Sequence, residues 1–89
     1  MSTWTVYILK CSDGTYYTGC ASNLDQRLKR HLRGEIHYTK PRLPVKVVTT
    51  ITFTDKYQAY DFEKYLKSGS GIAFRNRWLI EQCTHCSTP

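Results

Sequence analysis

Apolar and polar positions follow several rhythms along the chain. WTVYILK at 4–10 is a nearly unbroken run of β-branched, aromatic and apolar residues and predicts a strand. The CSDGT turn follows, punctuated by Asp13-Gly14, and YYTGC at 16–20 predicts the returning strand of a hairpin. So short a loop makes the two strands antiparallel neighbours. Tyr7 and Tyr17 are an even number of residues apart, so an unbulged hairpin with an odd loop turns both onto one sheet face, with Gly19 leaving space beside them. A helical rhythm then takes over. Ser22 or Asn23 offers an N-cap, Asp25 sits in the first turn, and Gly34 closes a helix expected over 23–34. Leu24, Leu28 and Leu32 form its apolar stripe. Arg27 and His31 lie along one edge of the stripe, turned toward the sheet, whereas Lys29 and Arg33 fall on the opposite, solvent side.

Residues 35–44, with Pro41 and Pro44, predict a loop, and VKVVTTITF at 45–53 predicts a third strand. A second helix opens at the capping-box-like pair Asp55 and Gln58 and runs to about Lys67. Its apolar face is Ala59, Phe62 and Leu66, and Glu63 interrupts that face where periodicity wants a hydrophobe. A turn at Gly69–Gly71 is expected to end this helix, with a last short helix from Ala73 to about Glu81 carrying Trp78. The order β-β-α-β-α-α suggests a small α+β domain whose antiparallel or mixed sheet is packed by helices. One domain is expected over residues 1–81, followed by a tail at 82–89.

Composition narrows the class. With 89 residues, 40 % of them hydrophobic, the chain has room for one small core, and Trp4, Phe53, Phe62, Phe74 and Trp78 are the large side chains expected to fill it. No apolar run approaches the roughly 18 residues of a membrane span, and MSTWTVYILK lacks the features of a signal peptide, so a cytoplasmic location is expected. Cys11, Cys20, Cys83 and Cys86 read as reduced thiols, and CTHC at 83–86 has too few ligands for a structural zinc and reads as a frayed tail. The net charge of +6 is concentrated: residues 27–46 hold seven Lys or Arg against Glu35 alone. Such a patch suits a polyanion, with nucleic acid favoured over a membrane; the plainer alternative is a solvated basic helix.

Five side chains stand out chemically: Tyr7 and Tyr17 on one sheet face, Arg27 and His31 on an inward helix edge, and Glu63 on another helix's inward face. Each has an ordinary reading. The tyrosines can be half-buried packing, His31 a satisfied histidine, Arg27 a salt-bridge partner, and Glu63 its counter-ion. Converging, they suit phosphodiester hydrolysis. A glutamate offers an oxygen ligand to Mg²⁺ or a similar hard cation, an arginine a fork for the charged transition state, and a Tyr or His a proton acceptor for the attacking water. A tyrosine base, with an ordinary pKa of about 10, needs positive charge nearby.

VYI at 6–8 and YTG at 17–19, followed in order by Arg27, His31, Glu63 and Asn76, resemble the signature of the GIY-YIG nuclease family over roughly residues 4–80. The pattern departs in having Thr5 or Val6 for the first glycine and Thr18 for isoleucine, neither of which removes a reactive group. The resemblance implies a three-stranded antiparallel sheet flanked by helices. It implies that Glu63 holds one divalent metal ion, Mg²⁺ or Mn²⁺, and that Arg27 stabilises the scissile phosphate. Tyr7 would help deprotonate the water with His31 as proton relay, Tyr17 would position the water or a phosphate oxygen, and Asn76 would support the site or touch the DNA backbone. The expected protein is thus a metal-dependent DNA endonuclease of low intrinsic sequence specificity, structure-specific or directed by a protein partner in DNA repair or processing. Lys29, Arg30, Arg33, Lys40 and Arg42 would grip phosphate backbones. The competing expectations are a non-cleaving nucleic-acid-binding module of the same fold and a protein-interaction module displaying Tyr57, Tyr60 and Tyr65.

Overall fold

A computed structural model describes residues 3–80. The elements follow the expected order: β1 (Trp4–Cys11), β2 (Tyr16–Ala21), α1 (Leu24–Leu32), β3 (Val45–Phe53), α2 (Lys56–Leu66) and α3 (Gly69–Trp78). They build a three-stranded antiparallel sheet in the order β2-β1-β3, which leaves β2 as an open edge. The central strand β1 is covered on both faces. Val6 and Ile8 join Ala59 and Leu66 of α2 on one side, with Phe53 and Phe62 packed against them. Tyr7 and Leu9 face the other side, under Leu24 and Leu28 of α1. This double burial explains why WTVYILK lacks the alternation of a half-exposed strand. Among the described residues, no helix is long and apolar enough to cross a membrane.

Of the two N-cap candidates it is Asn23 that caps α1, by accepting a hydrogen bond from the Gln26 amide at 3.1 Å. Several local expectations need correction. The buried face of α1 runs Leu24, Leu28, His31, leaving Leu32 51 % exposed, because a 3.6-residue repeat brings the i+7 position under the same face as readily as i+8. The glycines at 69 and 71 do not form a turn that separates two helices. Ser68 caps α3 by accepting from the Gly71 amide, so the helix begins four residues earlier than expected. A Cβ on Gly71 would sit 2.7 Å from the Leu66 Cα and collide with the Tyr65 carbonyl, so α3 can start against the end of α2 because this position has no side chain. Two of the expected core aromatics are exposed on this helix: Trp78 at 65 %, and Phe74 at 37 % although it rests against Phe62 and Tyr65. Residues 35–44 contain a single 3₁₀ turn at Lys40–Arg42. Cys11 and Cys20 are buried free thiols, while Glu81 and the CTHC segment with Cys83 and Cys86 lie outside the described residues.

Candidate active site

The hairpin places the two tyrosines. Its turn closes with the Gly14 amide donating to the Cys11 carbonyl at 3.0 Å, and Gly14 takes φ +87°, a region glycine enters without a Cβ penalty. The register sets Tyr7 opposite Gly19 and Leu9 opposite Tyr17, so Tyr7 and Tyr17 share a face with ring centroids 6.2 Å apart. Gly19 does more than leave space. A Cβ there would lie 2.6 Å from both Cζ and Oη of Tyr7 and 3.0 Å from a Tyr17 ring carbon. The Tyr7 ring therefore lies across β2, and its hydroxyl points toward the open edge of the sheet.

His31 meets both rings edge-on, with centroids 5.9 Å from Tyr7 and 5.1 Å from Tyr17. It is fully buried, and both ring nitrogens are engaged: Nε2 lies 3.1 Å from Tyr7 Oη, and Nδ1 lies 2.7 Å from the hydroxyl of Thr39, which is itself fully buried. Burial, then the charges of Arg27 and Arg30, hold the His31 pKa below its ordinary 6.5, so the ring is neutral at neutral pH.

Burial pushes the Tyr7 pKa up to about 12, reinforced by Tyr17 and Glu63 and opposed by the charge and hydrogen bonding of Arg27. The expectation that nearby positive charge would lower Tyr7 is right in sign for Arg27, but desolvation outweighs it. The Cys20 thiol is likewise pushed up, by burial and then by Glu63, with Arg27 opposing. Cys20 faces α2 and Tyr7 faces α1, yet both feel Glu63 and Arg27. Arg27 and Glu63 therefore both bear on the side chains of the first two strands, from opposite faces of the sheet.

Glu63 is only 19 % exposed, and its Oε2 pairs with the Lys67 ammonium one helical turn on, at 2.8 Å. Its ion-pair partner is thus Lys67 rather than Arg27. Lys67 is half exposed on a flexible stem, so the carboxylate can exchange it for another cation. Among the described residues no cluster of three His, Cys, Asp or Glu stands ready to hold a metal. The donor set fits a hard cation that takes one carboxylate and fills its other positions with water and phosphate, as Mg²⁺ does. It does not fit a cage of protein ligands.

The basic residues divide into two groups. Lys29 and Lys40 are exposed. Arg30 and Arg33 converge on Glu35, at 3.4 and 2.7 Å, which partly satisfies them. Arg42 acts as a brace. Its Nη1 donates to the Tyr38 carbonyl at 2.6 Å, its guanidinium stacks 4.0 Å from the Tyr38 ring centroid, and its Nε lies 3.1 Å from Asp13. Asn76 is exposed on α3 and accepts from Arg75 Nε and Nη2 at 3.2 and 3.0 Å, so it is tied to Arg75 rather than to the tyrosine pair. Sequence reasoning missed a groove of about 310 Å³ along the β2 edge, walled by Tyr17, Tyr38, Lys67, Ile72 and Arg75. A second depression of about 660 Å³, lined by His37, Lys40 and Arg42, adjoins it across Tyr38. Lys67 and Arg75 belong to a stretch of nearly balanced charge, so a tally along the chain could not single them out. Thr39 carried no signal at all, being one hydroxyl in a proline-containing loop.

The chain is similar to known proteins over most of its length. A family model described as the GIY-YIG catalytic domain matches residues 3–75. A UPF0213 protein of Halalkalibacterium halodurans is 41 % identical over 63 residues, covering 70 % of this chain and 67 % of its own. A UPF0213 protein of Clostridium perfringens is 46 % identical over 63 residues, covering 70 % and 68 %. The solution NMR structure of a UPF0213 protein from Bacillus halodurans superposes with a TM-score of 0.52 at 36 % identity, covering 81 % of this chain and 80 % of that one. The NMR structure and the first of these relatives carry the same designation, BH0048, and neither that protein nor the Clostridium perfringens one bears a name that states an activity.

Proposed function

The chain belongs to the GIY-YIG family, a nuclease family, and on that footing we propose that it is a metal-dependent DNA endonuclease of low intrinsic sequence specificity. The observation that carries the reading is the contact of Tyr7 with a neutral, fully buried His31, under the influence of Arg27 and Glu63 at the open edge of the sheet. A tyrosine held near 12 does not ionise at neutral pH. It serves instead as a relay: Tyr7 Oη takes a proton from the attacking water as it passes its own to His31 Nε2. The water oxygen bonds to phosphorus, the bond from phosphorus to the 3′ oxygen breaks, and the leaving oxygen takes its proton from solvent. Arg27 presents a guanidinium to the phosphoryl oxygens as their charge builds. Tyr17, edge-on to His31, orients the water or a phosphate oxygen.

Glu63 would hold the divalent cation, Mg²⁺ or Mn²⁺, which when bound supplies Lewis-acid polarisation of the phosphate and stabilises the leaving oxygen. Lys29, Lys40, Lys67 and Arg75 would position the backbone, with Asn76 acting through Arg75. With its elements committed to the core and the site, the domain has little left to read base edges, so target choice falls to DNA structure or to a protein partner in DNA repair or processing in the cytoplasm. A supercoiled-plasmid assay tests this. Nicking is expected with Mg²⁺ or Mn²⁺, to stop with chelator, and to be lost in Glu63→Gln. Salt-sensitive DNA binding with no cleavage of plasmid, branched or single-stranded substrates would instead establish a non-cleaving binding module.

A further inference from the structure

From the hydrogen-bond chain behind His31 we infer that Thr39 is a positioning residue, fixing the imidazole as the Nδ1–H tautomer so that Nε2 can accept the Tyr7 proton; this role rests on the nuclease reading above. The direction of the chain follows from counting donors and acceptors. Thr39 is the first residue before the 3₁₀ turn, but its hydroxyl makes no capping bond there. It lies 2.7 Å from His31 Nδ1 and 3.5 Å from the Ile36 carbonyl oxygen. A carbonyl only accepts, so the Thr39 proton goes to Ile36, and the Thr39 oxygen is left to accept from Nδ1–H.

The other end agrees. His31 Nε2 stands 3.1 Å from Tyr7 Oη, and with Nδ1 protonated it is the ring's free acceptor for the Tyr7 proton. Every proton then points the same way, from Tyr7 through His31 and Thr39 to Ile36. The opposite tautomer would leave the Tyr7 proton without His31 as its acceptor and turn the Thr39 proton from Ile36 to His31 Nδ1. For Tyr7, fully buried beside His31, losing that acceptor is costly. The fold supports the placement: the Lys40 amide donates to the Ile36 carbonyl at 2.9 Å and the Arg42 amide to the Thr39 carbonyl at 2.8 Å, anchoring the loop that carries Thr39. Arg42 in turn clamps Tyr38, the residue before Thr39, so that Tyr38 faces the groove while Thr39 faces the histidine.

The test is ¹⁵N NMR of the His31 ring in the full chain, with single-turnover plasmid nicking as a second readout. Wild type is expected to show a protonated Nδ1 and an unprotonated Nε2 at neutral pH. Thr39→Val, nearly isosteric but unable to accept, is expected to shift the ring toward Nε2–H and to slow cleavage on the order of tenfold or more with DNA affinity unchanged. Thr39→Ser is expected to restore both. A wild-type ring in the Nε2–H form overturns the inference, as does Thr39→Val with an unchanged tautomer or Thr39→Ser with the tautomer lost. Should the valine variant fail to fold, the wild-type and serine spectra decide. An Nδ1–H ring in a protein that never cleaves DNA would keep the hydrogen-bond assignment and sink the nuclease reading alone.

Discussion

Gly19→Ala is the smallest change that strikes the site's construction. The added methyl would lie 2.6 Å from Cζ and Oη of Tyr7, about a full ångström inside van der Waals contact, and 3.0 Å from Tyr17. A phenol tip could usually swing aside. Here the ring is fully buried, its hydroxyl is 3.1 Å from His31, and Tyr17 and His31 contact its faces and edges. Overpacking of this kind costs about 1–3 kcal/mol. Displacing the hydroxyl from His31 adds roughly 0.5–1.5 kcal/mol for the lost hydrogen bond. In a domain of this size each kcal/mol lowers Tm by about 4–8 °C, so a fall of at least about 6 °C is expected. Misplacing the Tyr7 oxygen by about 1 Å should also cut cleavage on the order of 100-fold at saturating DNA. The assay pairs thermal unfolding with single-turnover nicking and uses Gly69→Ala as the control. A Cβ at Gly69 would meet nothing within 4 Å, and the residue lies in the first turn of α3, so its alanine variant should match or slightly exceed wild-type stability. Gly19→Ala with wild-type Tm and rate would refute the placement of Tyr7 across β2.

Other expectations follow from the same geometry. His31 is held below its ordinary 6.5, so the unfolded chain binds a proton that the native state resists, and stability should fall as pH drops below 6.5 toward the folded-state value. Asp13 and Glu35, also held low, contribute only at more acid pH, so urea midpoints between about pH 7.5 and 5.5 should slope downward in wild type and flatten in His31→Asn. Arg75→Ala should weaken DNA binding about equally for all sequences and reduce the salt slope by about 1, measured by fluorescence anisotropy. Arg42→Ala should lower Tm before it alters the salt slope, because that side chain holds the Tyr38 loop to the hairpin turn.

The parts of the fold legible in the sequence were those set by short-range rules. Asp13-Gly14 between two β-rich runs announced the hairpin, and the parity of Tyr7 and Tyr17 placed both rings on one face, as the register bears out. The α+β order and the GIY-YIG relationship were readable for the same reason, because the marker residues sit at fixed intervals along the chain. What escaped depends on contacts between distant segments. Two glycines look like a turn until the end of α2 is seen to require a residue without a side chain at Gly71. Phe74 and Trp78 look like core by their size, yet the packing of α3 against the end of α2 leaves both exposed. Thr39 and Arg75 reach the site only because a loop and a helix fold back onto the β2 edge, and no periodicity marks them.

The most direct test of the central claim is the single-turnover cleavage rate of Tyr7→Phe, measured beside its affinity for the same DNA. The variant keeps the ring that packs against Tyr17, His31 and Gly19 and removes only the oxygen that stands 3.1 Å from His31. A proton relay through that oxygen predicts unchanged binding and a rate lower by on the order of 100-fold or more. Tyr7→Phe cutting DNA at the wild-type rate would contradict it.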